Sequence, residues 1–491
     1  MAETPSASAG FLARFTVLQG AMRELWITFS LKFLNIAAYA VTNTTLVLWL
    51  EFEFGYSDHA ALGLVAAWSL TMTAATLLVG SLTDALGLRR TFFLGVWVCL
   101  AARAVMAFTT VKWVALAVGM FPLAIGEALG TPVLVAAVRK YSDTRQRSIS
   151  FSIFYMMMNV GFLAASYIFD WVRQGLGEHG HWTLPLAHAT VTTYRVLFLV
   201  SWVFNAVQLP VIWFIRRGAE ATDAGVVFAH ATVVAPRRNF VAALWFTARD
   251  GARDTVRLFT GLVQQPGFYR LLVFLALIAC LKLVLMHMYY VFPTFGIREL
   301  GPGAPVGHLW AINQWFIIPL VPVVGALTQR FSAYRMAIVG SFITAAAAFI
   351  MALPTQLFQP AADGAPGAVV GHWFLHLNGA VHPYYVMIAL FVIGYSFGEA
   401  FYSPRVYEYA AAIAPKGQEA SYGALSYVPL LLGKVMVGTF SGMLLARYCP
   451  ATGERHSATM WLFVALTASV APAGLILLRR FIRVHEAGRA D

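Results

Sequence analysis

The segment Gly80-Ser-Leu-Thr-Asp-Ala-Leu-Gly-Leu-Arg-Arg90 recurs in weaker form as Gly325-Ala-Leu-Thr-Gln-Arg-Phe-Ser-Ala-Tyr-Arg335. The glycine, the leucine, the threonine and the last arginine are in register. Each copy follows an apolar run of helical length and precedes another. A repeat of this kind indicates two related halves, each carrying the same short loop between two membrane helices.

The composition of the chain requires lipid as its solvent. Of the 491 residues, 59% are hydrophobic and only 11% are charged, and the mean hydropathy is +0.70. A run of about 20 apolar residues crosses a hydrocarbon core of about 30 Å. We therefore predict an all-α integral membrane protein with twelve transmembrane helices in two pseudo-symmetric six-helix bundles, near residues 25–50, 60–82, 91–110, 113–138, 149–170, 193–215, 270–292, 306–328, 334–354, 384–412, 421–447 and 459–482.

The net charge of +12 does not indicate a nucleic-acid partner, because the basic residues concentrate in the termini and in alternate loops. Arg139 and Lys140 are typical of the basic side, whereas Glu51 and Asp58 lie on the other side. By the positive-inside rule, both termini are cytoplasmic. The sequence thus predicts a multi-pass protein of the plasma membrane, in bacteria the inner membrane, inserted by its first helix.

Three regions follow from these boundaries: an N-terminal bundle at 1–215, a cytoplasmic linker at 216–269 and a C-terminal bundle at 270–491. Within the linker, charged and apolar residues separate onto two faces at helical spacing. This pattern favours an amphipathic helix lying at the lipid interface, although a disordered linker is the alternative. The apolar face comprises Trp245, Ala252, Val256, Phe259 and Val263.

An ionised side chain at the centre of a membrane helix costs about 2.5 to 3.5 kcal/mol on insertion scales, so it normally faces a cavity or a partner. Several ionisable residues fall inside the predicted spans, and their pairing cannot be read from the sequence. His287 adds a group that titrates near neutral pH. The charged members of this set are Lys32, Arg103, Glu127, Lys282, Glu399, Arg405, Glu408 and Lys434.

Glu399 is the strongest candidate for binding a solute or a proton, because it lies in a Gly-rich segment that Ser403-Pro404 is expected to interrupt. A structural pair with Lys282 or Lys434 is the alternative. Glu127 is the second candidate for proton coupling, although its Gly126-x-x-x-Gly130 context also favours close helix packing. Lys32 is interpreted as a cation lining a cavity, or as one that snorkels to the interface.

The loop Asp84 to Arg90 resembles the signature loop of the major facilitator superfamily. A carboxylate at a helix end close to Arg89 and Arg90 can latch one conformation, and Gly87 permits a tight turn. Asp84, Arg89 and Arg90 are therefore the predicted conformational latch. A basic loop that only fixes topology is the alternative.

Four further segments resemble the proton-coupled oligopeptide transporter family. They are Phe151-Ser-Ile-Phe-Tyr155 followed by Asn159 and Gly161, Ala311-Ile-Asn-Gln-Trp-Phe-Ile-Ile-Pro319, Gly398-Glu-Ala-Phe-Tyr-Ser-Pro404, and Glu408 with Ala414-Pro415-Lys416. The resemblance implies that Asn313 and Glu399 hold the amino end of a peptide. Asn159 is a further pocket candidate on the fifth helix.

The first helix departs from this family. The two acids and the arginine of the family motif are replaced by Lys32, Asn35 and Ile36. The arginine one turn deeper, which in the family contacts the substrate carboxylate, aligns with Asn43, and the fourth-helix lysine aligns with Thr131. The resemblance therefore implies a related transporter in which proton coupling and peptide specificity are open.

Aromatic residues suggest a wall for an organic ligand. His287 on the predicted seventh helix, with Tyr39 and Tyr155, can furnish stacking surfaces and hydrogen bonds. Packing is the alternative for all three. Histidines at 372, 376 and 382 lie in a loop without acidic neighbours, which favours a solvated loop over a metal site.

Together these patterns predict a monomeric secondary transporter, without cofactor or metal, that moves a small polar organic solute by alternating access. A peptide-like or amino-acid-like solute taken up with protons is the first expectation. Proton-linked export of a drug or metabolite is the alternative. A multi-pass membrane enzyme is a remote third reading, since no nucleophile elbow or metal motif is present, and we expect the protein not to be an enzyme.

Overall fold

The computed structural model describes most of the chain. The described residues are 18–76, 79–143, 146–183, 190–216, 218–222, 225–228, 249, 260, 263–328, 331–413, 425 and 428–483. All structural statements below concern these residues. The predicted interfacial helix of the linker, including Trp245, Ala252, Val256 and Phe259, lies outside them.

The first half of the chain consists of long helices joined by short connections. A β-hairpin (β1 His181–Thr183, β2 Thr190–Thr192) joins the fifth and sixth helices. A π-helical turn and a short break at residues 129–130 interrupt the fourth helix. The helices are α1 Arg23–Phe54, α2 in two segments Asp58–Thr76 and Val79–Leu86, α3 Leu88–Phe108, α4 Lys112–Tyr141, α5 Arg147–Leu176 and α6 Thr193–Trp213.

The second half repeats this pattern. A short helix, Phe292–Leu300, connects the first two long helices. The long helices are α7 Pro266–Tyr290, α8 Val306–Leu327, α9 Ala333–Ile350, α10 Pro383–Ile413, α11 Val428–Tyr448 and α12 Ser457–Leu477. A final short helix is Arg479–Ile482.

Eleven helices in the described part of the chain are long and apolar enough to cross a membrane. They match eleven of the twelve predicted spans. The remaining predicted span, 60–82, corresponds to α2, which the structure describes in the two segments Asp58–Thr76 and Val79–Leu86. The prediction of an all-α membrane fold with about twelve spanning helices is confirmed.

Two connections contain more structure than the sequence suggested. At the start of the linker, β3 Ala219–Thr222 pairs antiparallel with β4 Gly225–Phe228, and Gly225 has a φ of 119°. The connection between α9 and α10, which we expected to be a loop, forms short helical turns at Thr355–Phe358, Gln359–Asp363 and Ala365–Gly367 and a π-helical turn at Ala368–Phe374. In that segment the His372 ring contacts the Leu377 carbonyl at 2.9 Å.

The chain divides into two compact units. Unit 1 contains the described parts of residues 1–40, 71–162 and 198–255. Unit 2 contains those of 41–70, 163–197 and 256–491. Several long helices thus contribute to both units, and the boundaries 1–215, 216–269 and 270–491 stay a prediction.

In unit 1, glycines bring α3 and α4 into close contact. A Cβ atom at Gly126 would lie 2.7 Å from the Cys99 sulfur and 3.1 Å from the Gly95 carbonyl oxygen. Gly126 therefore allows close packing on α3, whereas a Cβ at Gly130 would lie 2.8 Å from the Asn35 side-chain amide of α1. The buried core around this contact includes Phe29 and Phe92.

In unit 2, α9 and α10 approach each other backbone to backbone. A Cβ at Gly340 would lie 2.7 Å from both the Gly398 carbonyl oxygen and the Tyr402 amide nitrogen. Because backbone atoms cannot rotate away, only glycine fits here. This contact fixes the position of α10 and therefore of Glu399.

We expect Gly340→Ala to lower stability by about 1 to 3 kcal/mol, the usual cost of overpacking. Thermal unfolding in detergent measures the effect. Gly63→Ala in α2 is the matched control, because no atom lies within 4 Å of its added methyl group, and the better helix propensity of alanine should leave its melting temperature unchanged or higher. Equal melting temperatures for the two variants would refute the close α9–α10 packing.

Candidate functional site

A cluster of buried polar side chains joins α7, α8 and α10 in unit 2. The Glu399 carboxylate lies 3.7 Å from the Lys282 ammonium. The Asn313 amide donates to Glu399 at 3.2 Å and to the Ser396 hydroxyl at 3.0 Å. The side chains of Lys282 and Glu399 are only 9% and 10% exposed. Water therefore solvates these charges little, and each charge is stabilised mainly by the other.

Lys282 has further contacts on α10. Its ammonium lies 3.2 Å from the Ser403 hydroxyl and 4.9 Å from the centre of the Tyr402 ring. The expected interruption at Ser403-Pro404 is wrong: α10 continues through Pro404 to Ile413. A proline removes one backbone donor, but here it does not end the helix, so Glu399 is presented by a regular helix rather than by broken backbone.

A small cavity of about 20 Å³ adjoins Lys282. Such a volume holds about one water molecule, not an organic solute. The cavity therefore has room for a water molecule beside Lys282. Its lining residues are Ile278, Lys282, Ser403, Val406, Tyr407, Pro429 and Leu430.

Two further site candidates of unit 2 have other surroundings. Asn43 is buried and accepts a hydrogen bond from the Tyr290 hydroxyl. His287 is fully buried, and its ring packs edge-on against Trp461 at 4.8 Å. Among the described residues, neither imidazole nitrogen has a hydrogen-bond partner. His287 is thus enclosed by aromatic packing, the alternative considered for it.

In unit 1, Lys32 is 1% exposed and does not reach an interface. Its ammonium lies 3.3 Å from the Thr131 hydroxyl and 4.6 Å from the centre of the Phe154 ring. No carboxylate in the described part of the chain lies within 4.0 Å of it. Lys32 and Thr131, two positions that depart from the family motif, are therefore in contact.

The other acid proposed for proton coupling is already paired. Glu127 forms a buried ion pair with Arg103 of α3, and their side chains are 3% and 0% exposed. Glu408 similarly pairs with Arg405 at 2.7 Å, three residues away on α10. The first pair thus joins α3 to α4, whereas the second lies along α10.

The remaining binding candidates lie in unit 1. Asn159 is buried, and its amide donates to the Tyr155 carbonyl at 3.0 Å, one turn earlier on α5. Tyr39 and Tyr155 are partly buried. The binding roles of these residues stay predictions.

The predicted latch is described only in part. Gly87 has a φ of 79° and separates α2 from α3, as a tight turn requires. The Arg89 guanidinium lies 5.1 Å from the Trp213 ring and 5.7 Å from the Phe93 ring, while Arg90 is exposed. The side chain of Asp84 lies outside the described residues.

A sequence profile of the Major Facilitator Superfamily matches residues 28–374, which is more than half of the chain. The chain belongs to the major facilitator superfamily. Comparison with curated protein sequences gives no significant match.

Solved structures of transporters share this fold. A POT family transporter in complex with 5-aminolevulinic acid has a TM-score of 0.66 and 14% identity, covering 94% of this chain and 97% of the other. A proton-dependent oligopeptide transporter has a TM-score of 0.65 and 18% identity, and the match covers 93% of this chain and 99% of the other. A variant of the nucleoside transporter NupG has a TM-score of 0.62 and 13% identity, and the match covers 93% of this chain and 100% of the other. At these identities the likeness shows the fold, and the predicted resemblance to the POT family is confirmed at that level.

This major facilitator protein also contains a charged group that the sequence analysis missed. Asp170 and Arg173 near the end of α5 are completely buried, and Glu178 follows in the next turn. We call these three residues, together with residues 303–308 at the end of the loop and the start of α8, the carboxylate clasp. The spacing Asp170-x-x-Arg173 places both side chains on one helix face and could have indicated an ion pair. Because both residues lie at the end of a predicted span, nothing in the sequence indicated that they are buried.

We expect Glu127→Gln alone to destabilise the protein by about 3 to 5 kcal/mol, because the buried Arg103 loses the carboxylate with which it is paired. The double variant Arg103→Gln, Glu127→Gln should recover most of that loss. Thermal unfolding of the three proteins measures it. A single variant as stable as the wild type would show that the Arg103 charge does not depend on Glu127.

Proposed function

We propose that this protein takes up a small peptide-like or amino-acid-like solute together with protons by alternating access. The observation that carries the proposal is the Lys282–Glu399 pair with Asn313 at its side, buried in the middle of unit 2. The fold of the superfamily supports transport in general. The chemistry of this cluster supports a solute with an amino group and the coupling of its transport to protons.

The pair can exchange partners. Its N···O distance of 3.7 Å is longer than the 2.7–2.9 Å of a close charge-assisted hydrogen bond. A protonated amino group of a solute carries the same charge as Lys282, so it can compete for the Glu399 carboxylate while Asn313 keeps that carboxylate in place. Amino-ended solutes are therefore the proposed class.

The same pair can couple transport to protons. Protonation of Glu399 removes its negative charge and releases Lys282, which lines a cavity with room for about one water molecule. One charge moved through 100 mV supplies about 2.3 kcal/mol. Glu399 is the first proposed proton carrier, and Glu127 is second because Arg103 already neutralises it.

Lys32 is proposed to bind an acidic group of the solute. A buried ammonium without a carboxylate nearby is costly, and an anionic ligand would offset this cost. Asn43, Asn159, Tyr39, Tyr155 and His287 are proposed as secondary contacts or supports. The Asp84, Arg89 and Arg90 loop is proposed as the latch between conformations.

Orientation and assembly complete the proposal. The protein is placed in the plasma membrane, in bacteria the inner membrane, with both termini in the cytoplasm because the basic loops face that side. It acts as a monomer, without a cofactor, and carries out transport rather than catalysis. Proton-linked export of a metabolite is the second candidate, supported by the replaced acids of the first helix.

Glu399→Gln should abolish solute-dependent proton influx, because a neutral amide neither binds a proton nor attracts an amino group. The measurement is internal acidification of proteoliposomes at inside-negative potential during addition of amino acids and short peptides. Glu408→Gln is the matched control on the same helix, since Glu408 pairs with Arg405 and its side chain is 36% exposed. Influx through Glu408→Gln should persist.

Unchanged coupling in Glu399→Gln would overturn the proposed role of Glu399. If the wild-type protein shows no influx but solute-dependent proton efflux, export replaces uptake as the function. Both results require that each variant remains folded, shown by a cooperative thermal unfolding transition. Glu399→Gln is expected to unfold at a lower temperature than the wild type, because the buried Lys282 loses its carboxylate.

Lys32→Gln should raise the Kd for peptides with a free carboxylate by about tenfold or more, since a lost charge-assisted contact is worth about 1.5 to 3 kcal/mol. The same peptides with an amidated carboxyl end should bind both proteins equally. Isothermal calorimetry on the purified protein compares the two series. An equal loss for both series would exclude an electrostatic role for Lys32.

A further inference from the structure

The Asp170 carboxylate caps the first turn of α8. It accepts hydrogen bonds from the backbone nitrogens of Gly307 at 2.9 Å and His308 at 2.6 Å, and the Arg173 guanidinium donates to it at 3.2 Å. A carboxylate at a helix N-terminus is stabilised by the exposed amide groups there. Asp170 therefore ties α5 to the start of α8 within unit 2.

The rest of the carboxylate clasp holds the loop before α8. Arg173 donates to the Ala304 carbonyl at 3.3 Å and pairs with Glu178, which accepts from the Gly303 amide at 3.2 Å. Burial tends to raise the pKa of Glu178, but the Arg173 guanidinium and the Tyr194 hydroxyl outweigh it, and its pKa lies below the usual value. Glu178 thus stays ionised, and these contacts do not change with pH near neutrality.

His308 is the titratable member of this contact. Its Nδ1 lies 2.6 Å from the Asp170 carboxylate, and its side chain is 19% exposed. The Tyr167 ring of α5 packs edge-on against the imidazole at 4.3 Å. Tyr385 of α10 lies within electrostatic range of Asp170. The groups facing this site are thus Asp170, Arg173 and Tyr167 from α5 and Tyr385 from α10.

We infer that His308 and Asp170 form a proton-binding site that closes the carboxylate clasp. A proton on the imidazole turns its hydrogen bond with Asp170 into a charge-assisted one, which is stronger. Histidine changes charge between about pH 5 and 8. The partly exposed ring gives the proton access, whereas Glu399 is buried elsewhere in the unit.

The sign of the effect follows from the charges. The protonated imidazole gains from Asp170 only while α5 and α8 are in contact, so acid favours the closed clasp and alkali favours its opening. Under the proposed alternating-access function, on which this consequence rests, the clasp must open once per cycle on its side of the membrane. Proton binding at His308 then controls that step separately from Glu399.

Distance measurements test the inference without any solute. Spin labels at Gly175→Cys on α5 and Thr452→Cys on the loop before α12 occupy exposed positions, in a background where Cys99, Cys280 and Cys449 are replaced by alanine. Double electron–electron resonance in nanodiscs is recorded from pH 5 to pH 8.5. We expect the ratio of short to long distances to rise on the order of fivefold as the pH falls.

The variants identify the titrating group. His308→Asn keeps a hydrogen-bond donor but cannot titrate, so the distance ratio should become independent of pH. The control is His456→Asn, because His456 faces Glu454 at 4.0 Å as an exposed pair. This control should respond to pH like the wild type.

A wild-type pH response in His308→Asn, or no response in the wild type, would overturn the inference. Because no solute is present, a missing transport activity with an intact pH response would count against the proposed function alone. A lost response with intact proton-coupled uptake would count against the proton site alone.

Discussion

The need to neutralise charge inside the membrane determines how these helices pack. A side chain that carries charge in hydrocarbon is stable only with a partner, because water is absent to solvate it. The buried cations Arg103, Arg173 and Lys282 each lie beside a carboxylate. Each pair joins different helices or a helix to its following loop, so charge pairing and helix packing cannot be altered independently.

Lys32 is the informative exception in the described part of the chain. It is as buried as the paired cations, yet its contacts are the Thr131 hydroxyl and the face of the Phe154 ring. Neither contact carries a full negative charge, although a ring face attracts a cation. These contacts are the ground on which Lys32 is proposed to bind an acidic group of the solute. This contrast with Lys282 is the basis for assigning the two lysines different tasks.

Hydropathy was sufficient to locate the spanning helices, because lipid permits few alternatives to a continuous helix. The partners of the buried charged residues were harder to predict from the sequence. Lys282 was one of two partners considered for Glu399, and only the approach of α7 to α10 selects it. The role of Asp170 was missed because an acid at the end of a span looks like an interfacial residue until the start of α8 is placed against it.

Local features also escaped the sequence for physical reasons. The strand pair Ala219–Thr222 and Gly225–Phe228 lies in a linker that was interpreted from its later charged stretch. Val226, Val227 and Phe228 after Gly225 are nevertheless typical of a strand. Pro404 does not break α10, although the sequence predicted that it would. A proline inside a membrane helix is tolerated when neighbouring helices provide the packing, and α10 is held by its close contact with α9 at Gly340.

The two carboxylates of unit 2 differ in how completely they are satisfied, and this difference separates their roles. Asp170 accepts from two backbone amides, one guanidinium and one imidazole, so a ligand would have to displace several good donors. Glu399 has one amide donor and an ammonium at 3.7 Å, so one competing cation or proton is enough to change its state. Saturated contacts suit an acid that holds α5 and α8 together while the clasp is closed and that releases them only when all of its contacts break together. The looser pair suits an acid that must exchange partners in every cycle.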